Sequence, residues 1–162
     1  NEYIIIRRDT SAFRLMCVLI EMTLPEPLPV VLRDHPVLRK MQDLANDVRS
    51  WTNDIYSFEK EAKRKDPHNL VYILSASGSL TTQEAMDAVA ARIDGAVQQF
   101  IELEAALPIH NRESAASVHH YITGLKAWMA GNLYWIQQTA RYEQELGYVD
   151  QSDAQRMDSE AS

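Results

Sequence analysis

Apolar residues recur along this chain at helical spacing. From His35 to about Arg64 the apolar positions Val37, Met41, Leu44, Val48, Trp51, Ile55, Phe58 and Ala62 are separated by 4, 3, 4, 3, 4, 3 and 4 residues. At 3.6 residues per turn this predicts one continuous amphipathic helix. Asp66-Pro67 ends it, a short helix is expected from Asn69 to about Ser75, and Gly78-Ser79 forms a loop. Upstream, residues 3 to 24 read as an apolar helix interrupted near Thr10 and Ser11, with Ser11 the expected N-cap of the run Phe13, Met16, Val18, Leu19. Pro25, Pro27 and Pro29 then forbid a regular helix. Downstream, Thr81 with Glu84 reads as a capping box for a helix ending near Leu107 and Pro108. A last helix is expected from about Arg112 to Glu145, and the polar stretch beyond Gly147 has too little to bury to be more than a disordered tail.

Composition supports an all-α fold. Five Gly and six Pro make 11 of 162 residues, about 7% against an average of roughly 12%, which disfavours a turn-dense β fold. The length suits one domain, able to bury roughly 70% of its unfolded surface. Sixteen basic and 23 acidic residues leave a net charge of -7, with no Lys/Arg cluster dense enough to track a nucleic-acid backbone. Cys17 stands alone among apolar neighbours, which excludes an internal disulfide framework and suits a reducing, cytoplasmic setting. No apolar stretch reads as a membrane span or targeting signal. The chain opens at Asn1 and runs at once into Tyr3-Ile4-Ile5-Ile6, as if mid-element, so a fragment of a longer protein is expected.

Three constellations could carry chemistry. Within Asn53-Asp54-Ile55-Tyr56-Ser57-Phe58-Glu59-Lys60-Glu61, the residues Asn53, Ser57 and Glu61 stand at i, i+4 and i+8, forming one stripe about 160° from the apolar line through Ile55. An amide oxygen, a hydroxyl and a carboxylate are hard donors that suit Mg²⁺, an ion that keeps several waters and completes its shell from phosphate. A polar stripe opposite an apolar seam is ordinarily just solvated. The full pattern Asn-Asp-x-x-Ser-x-x-x-Glu, however, should arise by chance in only about one chain per hundred of this length.

The second constellation is basic: Arg7 and Arg8, Lys60 beside Glu61, and Arg141-Tyr142. Guanidinium, ammonium and phenol groups could together bind a diphosphate, although each alone is ordinarily a surface group. The third is an aromatic line, Tyr121, Trp128, Trp135 and Tyr142, recurring every seven residues with Gly124 and Gly131 interleaved. Such a line is ordinarily core packing. Yet each interior glycine costs roughly 1 kcal/mol relative to Ala, so two on one face imply either close approach or free space beside the rings. Rings lining free space could stabilise a cation.

Together these residues resemble the C-terminal half of class I terpene synthases of the bacterial sesquiterpene cyclase type. Asn53-Asp54-x-x-Ser57-x-x-x-Glu61 looks like that family's second metal motif. Arg7, 46 positions earlier, stands where the family carries its diphosphate-sensing arginine, Lys60 where a lysine contacts diphosphate, and Arg141-Tyr142 where it has a paired arginine and tyrosine. The run Gly131-Asn132-Leu133-Tyr134-Trp135 also has the family character. The resemblance implies part of an α-helical bundle over residues 1–147, followed by a tail at 148–162. It also implies a reaction, Mg²⁺-dependent ionisation of a linear prenyl diphosphate, farnesyl diphosphate foremost, with cyclisation of the carbocation. Asn53, Ser57 and Glu61 would then hold one of three Mg²⁺ ions, and Arg7, Lys60, Arg141 and Tyr142 the diphosphate. Trp128, Trp135 or Tyr56 would face the cation, Asp54 would support the ligands, and an effector carbonyl would lie near Thr10 and Ser11. The resemblance allows a homodimer.

The Asp-rich motif that holds the family's other two ions is absent from these 162 residues, in which no two aspartates are adjacent. It is expected in a missing N-terminal half, without which this segment should be inactive. A prenyl-chain-elongating enzyme would need a second Asp-rich motif that Asn53 to Glu61 does not resemble. The alternative of another class is a non-catalytic helical interaction module, with the aromatic line as its docking seam.

Overall fold

The computed structural model describes residues 2–76, 78–107, 112–139 and 142. These form seven helices and no strand: α1 Glu2–Thr10, α2 Phe13–Met22, α3 Val30–Arg33, α4 Pro36–Lys63, α5 Leu70–Ala76, α6 Thr82–Ala106 and α7 Arg112–Gln138. The all-α expectation holds. The expected tail, 148–162, lies outside the described residues.

Helix α4 is the axis of the fold, packed against α1, α3, α5, α6 and α7. It opens on Pro36 behind His35, whose Nδ1 accepts from the Val37 N–H at 3.3 Å, a proline placed where no intrahelical N–H is lost. Its seam residues Met41, Leu44, Val48 and Trp51 are buried. The opposite face is not solvated either, since Asp54 and Ser57 are also buried. A helix enclosed on both sides must find partners for its polar groups inside the protein.

Helix α6 starts as the sequence predicts. The Thr81 hydroxyl accepts from the Glu84 N–H at 3.2 Å, and the Glu84 carboxylate accepts from the Thr81 N–H at 2.7 Å. Its buried residues Ala85, Val89, Ala96 and Phe100 supply the apolar face that packs on α4 and α5.

The break between α1 and α2 falls one residue later than expected. Ala12, with φ of 58°, is the residue that precedes α2. Ser11 stands one position further out, where its Oγ accepts from the Phe13 N–H at 3.2 Å and donates to the Arg8 carbonyl at 3.0 Å. Helix α4 fixes this break. Arg8 donates through Nε and Nη2 to the two oxygens of buried Asp47, at 2.7 and 2.5 Å, and through Nη1 to Asp43 at 3.1 Å. Asn46 donates to the Arg8 carbonyl at 3.0 Å, and Arg49 to the Ser11 carbonyl at 3.2 Å.

Three further boundaries differ from the sequence reading. The proline segment ends in a single turn, α3, entered from Pro29. Helix α5 begins at Leu70, with Asn69 as the capping residue before it, its Oδ1 accepting from the Tyr72 N–H at 3.1 Å. Helix α7 ends at Gln138, and Tyr142 lies in a turn whose N–H reaches the Thr139 carbonyl at 3.3 Å. No Gly or Pro marks that stop; the buried tertiary contacts of Tyr142 override the local helical pattern.

The two glycines of α7 divide the readings between them. A Cβ at Gly124 would lie 2.4 Å from Ile20 Cγ2, so α2 and α7 meet there by close approach, whereas a Cβ at Gly131 would meet nothing within 4 Å. Helix α2 has two apolar faces, with Arg14 and Glu21 on a polar stripe between them. Phe13 is buried, Cys17 and Ile20 are half-buried, and Leu15, Val18, Leu19 and Met22 form an exposed stripe.

Two predictions follow from this packing. Gly124→Ala should destabilise the protein by about 1–3 kcal/mol in chemical denaturation, because Ile20 must turn aside, while Gly131→Ala should be neutral or stabilising by up to about 1 kcal/mol. Arg8→Ala leaves Asp47 buried without its bidentate partner and should cost about 3 kcal/mol. Replacing both residues, as Arg8→Met with Asp47→Leu, should recover most of that loss.

Candidate functional site

Asn53, Ser57 and Glu61 rise on three successive turns of α4. The Ser57 hydroxyl donates to the Asn53 carbonyl at 2.7 Å, which satisfies its proton locally and leaves its oxygen lone pairs unspent. The Asn53 side chain works in both directions, Oδ1 accepting from Arg7 Nη2 at 3.0 Å and Nδ2 donating to the Tyr142 hydroxyl at 2.8 Å. Glu61 Oε2 accepts from Asn69 Nδ2 at 2.8 Å.

Beside the stripe, Asp54 has no exposed surface. Its Oδ1 accepts from Arg7 Nη2 at 3.0 Å, and its Oδ2 accepts from the Leu70 N–H at 3.0 Å and from the Tyr3 hydroxyl. Burial, the largest influence, pushes the Asp54 carboxyl above its ordinary value, while Arg7, Tyr3 and the Leu70 N–H pull it part of the way back. For Arg7 burial is again the largest influence and works downward, yet Asp54, Tyr3 and Glu61 together outweigh it, and the guanidinium is held protonated. Burial and the neighbouring Asp54 charge raise the Tyr3 phenol, so it stays a donor. Arg7 Nε is buried with no hydrogen-bond partner among the described residues.

The aromatic residues meet the stripe at Tyr142. Its ring makes edge contacts with Trp135, at a centroid distance of 6.1 Å, and with Tyr56 at 6.3 Å. Alongside runs a cleft of about 500 Å³ lined by Arg49, Trp128, Gly131, Asn132 and Trp135. The space beside Gly131 is therefore part of this cleft. Trp128 Nε1 and Asn132 Nδ2 are buried with no hydrogen-bond partner among the described residues.

The structure thus brings Arg7, Asn53 and Tyr142 into direct contact, keeps Ser57 and Glu61 on the same helical stripe, and sets Trp128 and Trp135 on the adjoining cleft. Lys60 is half-buried on α4 and joins none of these contacts. Arg141 lies outside the described residues. Sequence reasoning missed Tyr3 and Asn69. Tyr3 stands four residues before Arg7 and so shares its helix face, a signal that was there to read. Asn69 was legible as a helix start, but not as the partner of Glu61, because that contact needs the turn after α4 to fold back.

The donor set fits a hard divalent cation: one amide oxygen, one hydroxyl and one carboxylate, with no sulfur or imidazole. Chemically, the arrangement pairs an oxygen stripe with a protonated guanidinium and borders both with aromatic rings.

Comparison with known proteins agrees with this geometry. The family described as terpene synthase family 2, C-terminal metal binding, matches residues 1–99. Sesquiterpene synthase 3 of Postia placenta is 37% identical over 140 residues, covering 86% of this chain and 38% of that protein. Sesquiterpene synthase Agr3 of Cyclocybe aegerita is 38% identical over 142 residues, covering 88% and 40%. Among solved structures, germacradien-4-ol synthase from Streptomyces citricolor superposes with a TM-score of 0.75 at 28% identity, covering 85% of this chain and 46% of that one. The chain spans about two fifths of the length of these curated relatives. With the family matched over 99 of its 162 residues, the chain belongs to the terpene synthase family, in its C-terminal metal-binding region.

Proposed function

We propose that this chain is the C-terminal part of a metal-dependent terpene cyclase that ionises a linear prenyl diphosphate and cyclises the resulting carbocation. The observation that carries the reading is the convergence on Asn53. Arg7, 46 residues before it, and Tyr142, 89 residues after it, both bond its side-chain amide, beside an aromatic cleft. Farnesyl diphosphate is the proposed substrate, supported by similarity to proteins named sesquiterpene synthases.

In this reading Asn53, Ser57 and Glu61 hold one of three Mg²⁺ ions. When bound, Mg²⁺ neutralises charge on the departing diphosphate as the carbon–oxygen bond breaks. Arg7 binds a diphosphate oxygen; its buried Nε, without a partner among the described residues, is a donor that supports this role. Lys60, Arg141 and Tyr142 complete the anion site, two of them cations and one a neutral hydroxyl donor. Trp128 and Trp135 form a wall that excludes water and faces the cation with ring quadrupoles.

The Asp-rich motif for the other ions is assigned to the length that the relatives carry beyond this chain. The exposed apolar stripe of α2, Leu15, Val18, Leu19 and Met22, supports a covering surface there, because contiguous exposed apolar residues of this kind mark a contact surface. Without that part the chain should not turn over. No helix among the described residues is long and apolar enough to cross a membrane, and the half-buried free thiol of Cys17 suits a cytoplasmic setting.

The complete protein, with the preceding part of the domain joined to this chain, should release diphosphate and a volatile cyclic terpene from farnesyl diphosphate in Mg²⁺, and chelation should abolish both. A folded protein that gives no product from geranyl, farnesyl or geranylgeranyl diphosphate would overturn the assignment. In the same protein Glu61→Gln should lower Mg²⁺-dependent kcat/KM by at least about tenfold, a loss typical even of residues that only support a metal ligand, without shifting the melting temperature. Unchanged kinetics would remove Glu61 from the ligand set.

A further inference from the structure

Asn69 belongs to none of the motifs above, yet every polar atom of its side chain is engaged. It is fully buried. Its Oδ1 caps α5 through the Tyr72 N–H at 3.1 Å, and its Nδ2 donates to the Asp54 backbone carbonyl at 2.6 Å and to Glu61 Oε2 at 2.8 Å. Capping alone needs only the oxygen, for which Ser, Thr or Asp would serve as well. The two N–H donors are what asparagine adds, and one of them ends on the candidate metal ligand.

We propose that Asn69 is a positioning residue for the metal site, holding one oxygen of the Glu61 carboxylate so that the other is presented in a fixed orientation to the ion. The proposal rests on the reading of Asn53, Ser57 and Glu61 as ligands. A glutamate has three side-chain torsions to order before it can bind, and a hydrogen bond formed in the folded protein removes that entropy loss from the binding step. The chemistry of the clamp also fits. A lysine or arginine at this place would compete with the cation for the carboxylate, whereas an amide N–H is neutral and leaves the negative charge to the metal. Asn69 is itself held from two sides, by α4 through the Asp54 carbonyl and by α5 through the Tyr72 N–H, so the clamp is anchored to the same helix that carries the ligands. Supporting hydrogen bonds of this kind typically change metal affinity by about 10–100-fold when removed.

The test uses Mn²⁺ as the probe, titrated into the complete protein, with the preceding part of the domain joined to this chain, in the presence of inorganic diphosphate and followed by the electron paramagnetic resonance signal of the free ion. Asn69→Ser keeps the capping oxygen and deletes the donors, and should weaken Mn²⁺ binding by about tenfold while circular dichroism shows the helices intact. Asn69→Thr, which likewise keeps a capping oxygen and lacks the amide group, guards against a folding defect in the serine variant and should weaken binding to a similar extent. Placed in a Glu61→Gln background, Asn69→Ser should change affinity by less than about twofold, since its effect passes through the missing carboxylate. Unchanged Mn²⁺ affinity in Asn69→Ser, or an equal loss in both backgrounds, overturns the positioning role while leaving the ligand assignment standing. A Glu61→Gln protein that takes up Mn²⁺ as tightly as the wild type overturns the ligand assignment and this proposal with it.

Discussion

A carboxylate with no exposed surface sits two-thirds of the way along the central helix, and the arrangement around it follows from the need to satisfy it. Asp54 cannot be left alone in that position, since an unpaired buried charge costs several kcal/mol. Its three donors come from two helices: the Arg7 guanidinium and the Tyr3 hydroxyl from α1, and the Leu70 N–H from the start of α5. Meeting those three demands brings α1 and the start of α5 to one stretch of α4. Arg7 then lies against Asn53, and Asn69, the neighbour of Leu70, lies against Glu61. The two ends of the oxygen stripe are therefore set by the groups that neutralise and hydrogen-bond one aspartate that is not on it.

Arg8 makes a second fastening of the same kind about two to three turns earlier on α4, through Asp47 and Asp43. Consecutive arginines thus engage α4 at separate levels, one near the candidate site and one at its base. Two attachments fix the rotation of α1 about its own axis, which a single attachment would leave open. The left-handed Ala12 then turns the chain into α2 immediately beyond the second anchor.

How much of this was legible in the sequence depended on whether the partner was local. The span of α4 could be read from its eight apolar positions, and the start of α6 from Thr81 and Glu84, because periodicity and capping act within one helix. The stripe of Asn53, Ser57 and Glu61 was legible for the same reason: helical geometry converts a spacing of four into a shared face. The glycines of α7 could be recognised as needing either contact or space, but which glycine met which condition was decided by α2, a helix more than a hundred residues earlier. The end of α7 was misread because Tyr142 leaves a good helical pattern to dock among Trp135, Tyr56 and Asn53. Nothing in four residues of sequence reports a contact with a residue 89 positions away. Asn69 carried an ordinary capping signal that concealed its second role.

The amide of Asn53 has a consequence of its own. A guanidinium can only donate, so the atom facing Arg7 must be the amide oxygen, and the nitrogen is turned towards Tyr142. The phenol must then accept, which frees its own proton to point elsewhere. The hydrogen bonds from Arg7 through Asn53 to Tyr142 accordingly run one way, with their sense set by a charge that cannot be reversed. A carboxylate at position 53 could answer Arg7 but would draw the Tyr142 proton back towards the helix. The amide receives from the cation on one atom and passes a donor on from another, so the polarity of this small relay is carried by asparagine where a carboxylate would lose it.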